Sequence, residues 1–152
     1  GAPNFAGSRV VVWRGFCHVH TCFTKEHVAQ VRAKYGPITV VVHPECPTEV
    51  VQAADLSGST SFILRTVQNA APGSRFAIGT ELNMVRRLAA NHPDRLVVPL
   101  TPSTCGAMAR ITPDALCHTL EGLLEGRTPG RVTVPEEIAY WANKALERML
   151  NL

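Results

Sequence analysis

Short apolar runs alternate along the chain with longer segments that mix apolar and polar side chains. The runs are rich in Val, Ile, Leu and Phe and lack the alternation of a half-buried strand, a pattern typical of parallel strands buried on both faces. We interpret four of them as strands: residues 10–13, 38–42, 75–79 and 96–100.

The segments between these runs place apolar side chains at helical spacing. Thr24 is a predicted helix cap, Gly36 and Pro37 end that helix, and Pro47 opens the next. Two further helices follow Cys105, separated by the linker at residues 125–132. We expect their apolar stripes to be core: Leu116, Leu120 and Leu123 in the first, and Trp141, Ala145 and Met149 in the second.

Strands that alternate with helices predict an α/β fold, here a three-layer αβα sandwich with a parallel sheet. In such folds ligands bind outside the carboxyl ends of the strands. Side chains that follow predicted strand ends should therefore meet at one edge of the sheet: Cys17, His20, His43, Glu45, Thr80, Glu81 and Cys105.

Composition narrows the classes of function. The chain has 152 residues, is 45% hydrophobic and 18% charged, and carries a formal net charge of +3 without a basic stripe, which argues against a nucleic-acid partner. No run approaches the ~20 apolar residues of a membrane span, and residues 1–8 lack the pattern of a signal peptide. We therefore expect a cytoplasmic protein without a membrane partner.

The five cysteines are odd in number and irregularly spaced, which is unlike a disulfide framework. Cys17 and Cys105 both follow predicted strands and lie 88 positions apart. Cys46 and Cys117 are expected to be buried structural thiols. Cys17, His20 and Cys22 together also allow a zinc site, although the spacing lacks a second half of the usual kind.

Two polar motifs have a functional and a structural interpretation. If His43 and Glu45 lie in an extended segment, they point the same way and form an acid/base pair, although they also suit a strand end and a helix start. Ser59 and Thr60 precede a helix, where hydroxyl and N–H groups bind anions or simply cap the helix.

Several motifs in series make the sequence resemble the later part of the quinolinate synthase family. The matching segments are Val-Val-Trp-Arg-Gly-Phe-Cys-His-Val-His at 11–20, Val-His-Pro-Glu-Cys at 42–46, Ala-Asp-Leu-Ser-Gly-Ser-Thr-Ser at 54–61, Gly-Thr-Glu-Leu-Asn-Met-Val-Arg-Arg-Leu at 79–88 and Cys-Gly-Ala-Met-Ala-Arg-Ile at 105–111.

This resemblance implies an enzyme of NAD biosynthesis that condenses iminoaspartate with dihydroxyacetone phosphate to quinolinate. It also implies three similar α/β domains in a pseudo-threefold arrangement around a [4Fe-4S] cluster, with one cysteine ligand from each domain. Cys17 and Cys105 match two of the ligands, and His43 and Glu45 match the catalytic and substrate-binding pair. Thr60, with Ser59, matches a substrate-binding position, whereas Glu81 and Asn83 match without an assigned role.

The third cysteine ligand and the first half of the family pattern have no counterpart here. The resemblance implies that residues 1–17 are the tail of a preceding domain, residues 18–105 a complete domain, and residues 106–152 helices that pack on the missing first domain. The N-terminal half of the same enzyme is then the expected partner, and the isolated chain is expected to be inactive. Two alternatives are a non-catalytic module that binds an anionic metabolite and a zinc-binding protein.

Overall fold

The computed structural model of the chain describes residues 15–151. Helices and strands alternate through most of this range. In chain order they are α1 (His18–Thr21), α2 (Lys25–Tyr35), β1 (Thr39–Val42), α3 (Thr48–Ala53), β2 (Leu56–Ser57), α4 (Thr60–Gln68), β3 (Arg75–Gly79), α5 (Leu82–Asn91), β4 (Leu96–Pro99), the 3-10 turn Met108–Arg110, α6 (Pro113–Leu124) and α7 (Glu136–Leu150).

The strands form a parallel four-stranded sheet in the order β2-β1-β3-β4. Because successive strand residues point to opposite faces, Val40 and Val42 pack with α2 and α3, whereas Val41 packs with α4 and α5. Helices therefore cover both faces of the sheet. The predicted three-layer αβα sandwich with a parallel sheet is confirmed.

Besides the 3-10 turn, the sequence does not predict two short elements. The edge strand β2 has only two exposed residues, which are too few to show a periodic pattern in the sequence. Asp55 holds it in place, because its carboxylate accepts the backbone N–H of Val40 at 2.7 Å and pairs with Arg32 at 2.8 Å. The single turn α1 is the other of these two elements. The strand predicted at residues 10–13 lies outside the described residues.

Among the described residues, 15–110 form one compact unit, and 111–151 belong to a second. In the second unit, the expectation that the apolar stripes of α6 and α7 are core is wrong. Leu116 is 54% exposed and Trp141 is 64% exposed, and Leu120, Leu123 and Met149 are also exposed. These side chains are exposed because no apolar surface within residues 15–151 covers them.

In residues 15–151, none of the helices combines the length and the apolar character needed to span a bilayer.

Gly79 ends β3 where three chain segments crowd together. A Cβ atom added there would lie 2.8 Å from Val42 Cγ1 and 3.3 Å from Leu100 Cδ2. We predict that Gly79→Ala lowers the free energy of unfolding by about 1–3 kcal/mol, because overpacking a buried site forces its neighbours to shift. Urea unfolding followed by circular dichroism measures the effect.

Gly106→Ala is the matched control, because a Cβ atom at Gly106 would meet no atom within 4 Å. Its unfolding free energy should stay within about 0.5 kcal/mol of that of the parent. Equal stability of the two variants would contradict the packing described at Gly79.

Candidate functional site

The polar residues of the first unit gather where the strand order reverses. The chain leaves β1 to form β2 on one side and later returns to form β3 on the other, so a crevice opens between the carboxyl ends of β1 and β3. Val42 and Gly79 end these strands as register partners, and the backbone N–H of His43 donates to the carbonyl of Gly79 at 3.1 Å. His43 and Thr80 therefore stand at the crevice as neighbours.

His20 bridges the two strand ends. Its Nδ1 lies 2.9 Å from Glu45 Oε2, and its Nε2 lies 3.1 Å from the hydroxyl of buried Thr80. Because an ionised carboxylate only accepts hydrogen bonds, a neutral His20 ring donates from Nδ1 to Glu45 and accepts at Nε2 from Thr80. The 7% exposed His20 residue thus fixes one oxygen of a carboxylate whose side chain is 57% exposed.

His43 lies against the same imidazole. The two rings stack with centroids 4.1 Å apart and planes 7° from parallel. Burial first, and the neighbouring His20 second, lower the pKa of His43 below its ordinary value of 6.5, and Glu45 opposes this shift. A neutral His43 ring is therefore favoured at pH 7.

The extended conformation expected for residues 43–45 is wrong. The segment is a turn, closed by a hydrogen bond of 3.0 Å from the N–H of Cys46 to the carbonyl of His43. The turn still brings the pair together, because the N–H of Glu45 donates to His43 Nδ1 at 3.3 Å and the carboxylate lies 3.8 Å from the same nitrogen.

Cys17 completes a group of three potential metal ligands. One ligand atom from each of Cys17, His20 and Glu45 lies within 4.8 Å of the others. Cys22, which the zinc hypothesis placed in such a site, instead directs its Sγ to the carbonyl of Val19 at 3.1 Å. Sulfur, nitrogen and oxygen ligands in this combination suit a transition metal.

Cys105 is not a member of this group, but its loop adjoins the segment that carries Cys17. Ser103, two positions before Cys105, donates its hydroxyl to the carbonyl of Val19, two positions after Cys17, at 2.9 Å. Cys17 and Cys105 are both partly exposed, so neither thiol is sealed in the core. Thiols that bind different iron atoms of one cluster have no need to lie within 4.8 Å of each other.

Ser59 and Thr60 follow β2, at the edge of the sheet where the carboxyl ends of the strands lie. Gly58 donates its N–H to the carbonyl of Val42 at 3.1 Å, which holds this helix start beside the end of β1. Ser59 Oγ accepts the N–H of Phe62 at 3.3 Å, so Ser59 caps α4. Both residues are exposed, and Thr60 is the first residue of the helix.

Glu81 has a structural role despite its place after β3. Its buried carboxylate accepts the N–H groups of Asn83 and Met84 at 2.8 and 3.1 Å, and the amide of Asn83 donates to its other oxygen at 3.1 Å. These bonds satisfy the first turn of α5, where a negative charge also favours the helix dipole.

The two cysteines expected to be structural differ in their surroundings. Cys46 is buried, as predicted, and its Sγ lies 3.8 Å from the carbonyl of Gly79. Cys117 is exposed on α6, so the expectation that it is buried is wrong. The cause is the same absence of a covering surface over α6 within the described residues.

The strand-end rule found His20 and Thr80 in the sequence, but it did not reveal what they do. His20 contacts both Glu45 and Thr80, which lie 25 and 60 positions later in the chain. No local sequence pattern reveals contacts over such distances. Ser103 was missed altogether. Its only signal is its place shortly after the end of β4.

The first unit is a doubly wound α/β domain with two histidines, a carboxylate and a thiol at its topological switch point. A family model described as "Quinolinate synthetase A protein" matches residues 2–151, and the chain belongs to that family. The chain is 45% identical over 154 residues to the quinolinate synthase of Geobacillus thermodenitrificans, covering 100% of this chain and 42% of that protein.

Two further relatives show similar identity and coverage. Identity is 47% over 147 residues to the quinolinate synthase of Corynebacterium glutamicum, covering 95% of this chain and 37% of the relative. It is 47% over 154 residues to that of Halobacterium salinarum, covering 99% and 41%. The chain thus spans about two fifths of the length of these relatives.

We predict that Cys46 resists alkylation while exposed Cys22 and Cys117 react. Burial raises the pKa of the Cys46 thiol to about 11, so very little thiolate exists at pH 8. Treating the metal-free chain with iodoacetamide at pH 8 and mapping the modified peptides by mass spectrometry measures each rate. Cys46 should react at least about 100-fold more slowly than Cys117, and comparable rates would contradict the burial of this thiol.

Proposed function

We propose that the chain is the C-terminal portion of a quinolinate synthase. The whole enzyme condenses iminoaspartate with dihydroxyacetone phosphate, with loss of phosphate and water, to form quinolinate for NAD biosynthesis. The observation that carries this proposal is the convergence of Cys17, His20, His43 and Glu45 at the switch point of a domain whose family membership is established.

The donor set agrees with a [4Fe-4S] cluster held partly by Cys17 and Cys105. Iron–sulfur clusters are bound by thiolates, and these two partly exposed thiols lie on segments that Ser103 joins. Cys46 is excluded as a ligand by its burial, and its high pKa agrees. When bound, a cluster with one open iron supplies a Lewis acid to substrate oxygens.

Glu45 is the group that we assign to proton transfer. His20 holds Oε2, whereas Oε1 has no hydrogen-bond partner within residues 15–151 and can accept a proton from a substrate in the crevice. His43 lies within 3.8 Å of the same carboxylate and is assigned to substrate binding and catalysis beside it.

Ser59 and Thr60 are assigned to the polar groups of the substrate. Thr60 and the start of α4 are exposed beside the end of β1, although Ser59 also caps the helix by accepting the N–H of Phe62. The substrates are therefore small anionic molecules, in keeping with a helix start that favours negative charge.

The domain assignment explains the exposed apolar helices. Residues 1–17 are assigned to the tail of a preceding domain and residues 18–105 to a complete one. Residues 106–152 are assigned to helices that pack on a first domain outside this chain. The exposed side chains of Leu116, Trp141 and Met149 support a missing partner surface. With part of the pocket and one thiolate absent, the isolated chain is inactive.

One observation favours a second candidate, a zinc site. Cys17, His20 and Glu45 offer the three protein ligands typical of an open zinc centre, with Glu45 in the place that the sequence suggests for Cys22. Elemental analysis of the purified chain distinguishes the two candidates. A content of one zinc and no iron per chain, with the zinc lost in Glu45→Gln, would favour the zinc site.

Anaerobic reconstitution with iron and sulfide tests the thiol ligands. We predict that the chain acquires the visible absorbance of a [4Fe-4S] cluster, which decays in air because one thiolate is missing. Cys17→Ser and Cys105→Ser should each lower bound iron and sulfide by about half or more. Cys117→Ser, an exposed thiol on α6, is the control and should match the parent. A stable cluster that survives Cys105→Ser would refute the ligand assignment.

A chimera tests the activity and the role of Glu45. This chain replaces the aligned segment of the Geobacillus thermodenitrificans relative, and quinolinate formation is measured chromatographically. We predict an active chimera whose kcat falls by about 100-fold or more in Glu45→Gln, since general acid–base groups contribute that much.

Glu49→Gln is the matched control, because Glu49 is an exposed carboxylate in the first turn of α3. It should leave kcat and KM unchanged. A folded, cluster-containing chimera without activity would contradict the proposed function. An active chimera that tolerates Glu45→Gln would contradict only the assignment of the base.

A further inference from the structure

Ser103 joins three segments of the first unit. Its hydroxyl donates to the carbonyl of Val19 at 2.9 Å, and its own carbonyl accepts the N–H of Leu82 at 2.8 Å. Val19 belongs to the segment that carries Cys17, Leu82 begins α5 after β3, and Ser103 itself follows β4. We propose that Ser103 is a positioning residue that sets the separation of the Cys17 and Cys105 thiols.

The two cysteines are tied to this link by short lengths of chain. Each lies two residues from the hydrogen bond, a stretch that spans at most about 7 Å. The stretch from Cys17 to Val19 lies within a turn, and Cys105 opens a second turn that follows it. The carbonyl of Cys17 accepts the N–H groups of His20 and Thr21 at 3.0 and 3.1 Å, and the carbonyl of Cys105 accepts the N–H of Ala109 at 2.9 Å.

Because each cysteine is held within its own turn, the main remaining freedom is the movement of one segment against the other. The Ser103–Val19 bond opposes that movement. Ser103 is 8% exposed and Val19 is 2% exposed, so water does not readily replace the bond. Among residues 15–151, the carbonyl of Val19 has one other side-chain donor, the weak S–H group of Cys22 at 3.1 Å.

This inference rests on the proposed function only in naming the two thiols as cluster ligands. The separation of the thiols is measurable without iron. The measurement uses the full chain with Cys22→Ala and Cys117→Ala, which removes both exposed thiols and leaves Ser103 as the side-chain donor to Val19. A short bifunctional maleimide then reports, by mass spectrometry, the fraction of chains in which Cys17 is joined to Cys105.

Adding Ser103→Ala to this background is expected to lower the joined fraction by threefold or more. It should also shorten the lifetime of the reconstituted cluster in air by a similar factor. Thr104→Ala is the matched control, because Thr104 is an exposed neighbour in the same loop, and it should leave both values unchanged. Ser103→Thr keeps the hydroxyl and should restore most of the joined fraction.

A joined fraction unchanged by Ser103→Ala, or absent in every variant, would overturn the inference. If Ser103→Ala fails to fold, hydrogen exchange in the unsubstituted chain decides. The N–H of Leu82 should exchange as slowly as those of β3, and fast exchange would overturn the inference. Joining that depends on Ser103 in a chain that takes up no iron would leave the inference standing and would refute the assignment of Cys17 and Cys105 as cluster ligands.

Discussion

The pairing of β1 with β3 is the constraint on which the site depends. Four register pairs align these strands, so that Val42 and Gly79 end side by side and the residues after them enter one crevice. The fit requires glycine at position 79, because a side chain there would collide with Val42. The close packing at Gly79 thus determines the positions of the hydrogen-bonding residues that follow β1 and β3.

Beyond the strand ends, a buried imidazole organises the polar groups. His20 has both ring nitrogens occupied and one face covered by His43, so its orientation is fixed by three neighbours. A fixed donor gives Glu45 a defined position although the carboxylate itself is largely exposed. Preorganisation of this kind avoids the cost of ordering a flexible side chain when a substrate binds.

The sequence predicts features that depend on local patterns better than features that depend on contacts between distant residues. The sheet, its helices and the gathering of Cys17, His20, His43 and Glu45 follow from local periodicity and the geometry of parallel strands. Local sequence does not predict the turn at residues 43–46, because a proline favours extended geometry in the residue before it. The stripes of α6 and α7 show that a sequence reports an apolar face without reporting what covers it.

The link through Ser103 joins two uncharged groups. The Debye length is about 8 Å at physiological ionic strength, so dissolved ions weaken an exposed pair such as Arg32 and Asp55. A buried bond between a hydroxyl and a peptide carbonyl has no net charge for those ions to screen. The spacing of the two cysteine segments is therefore insensitive to salt, whereas the anchoring of the edge strand β2 is not.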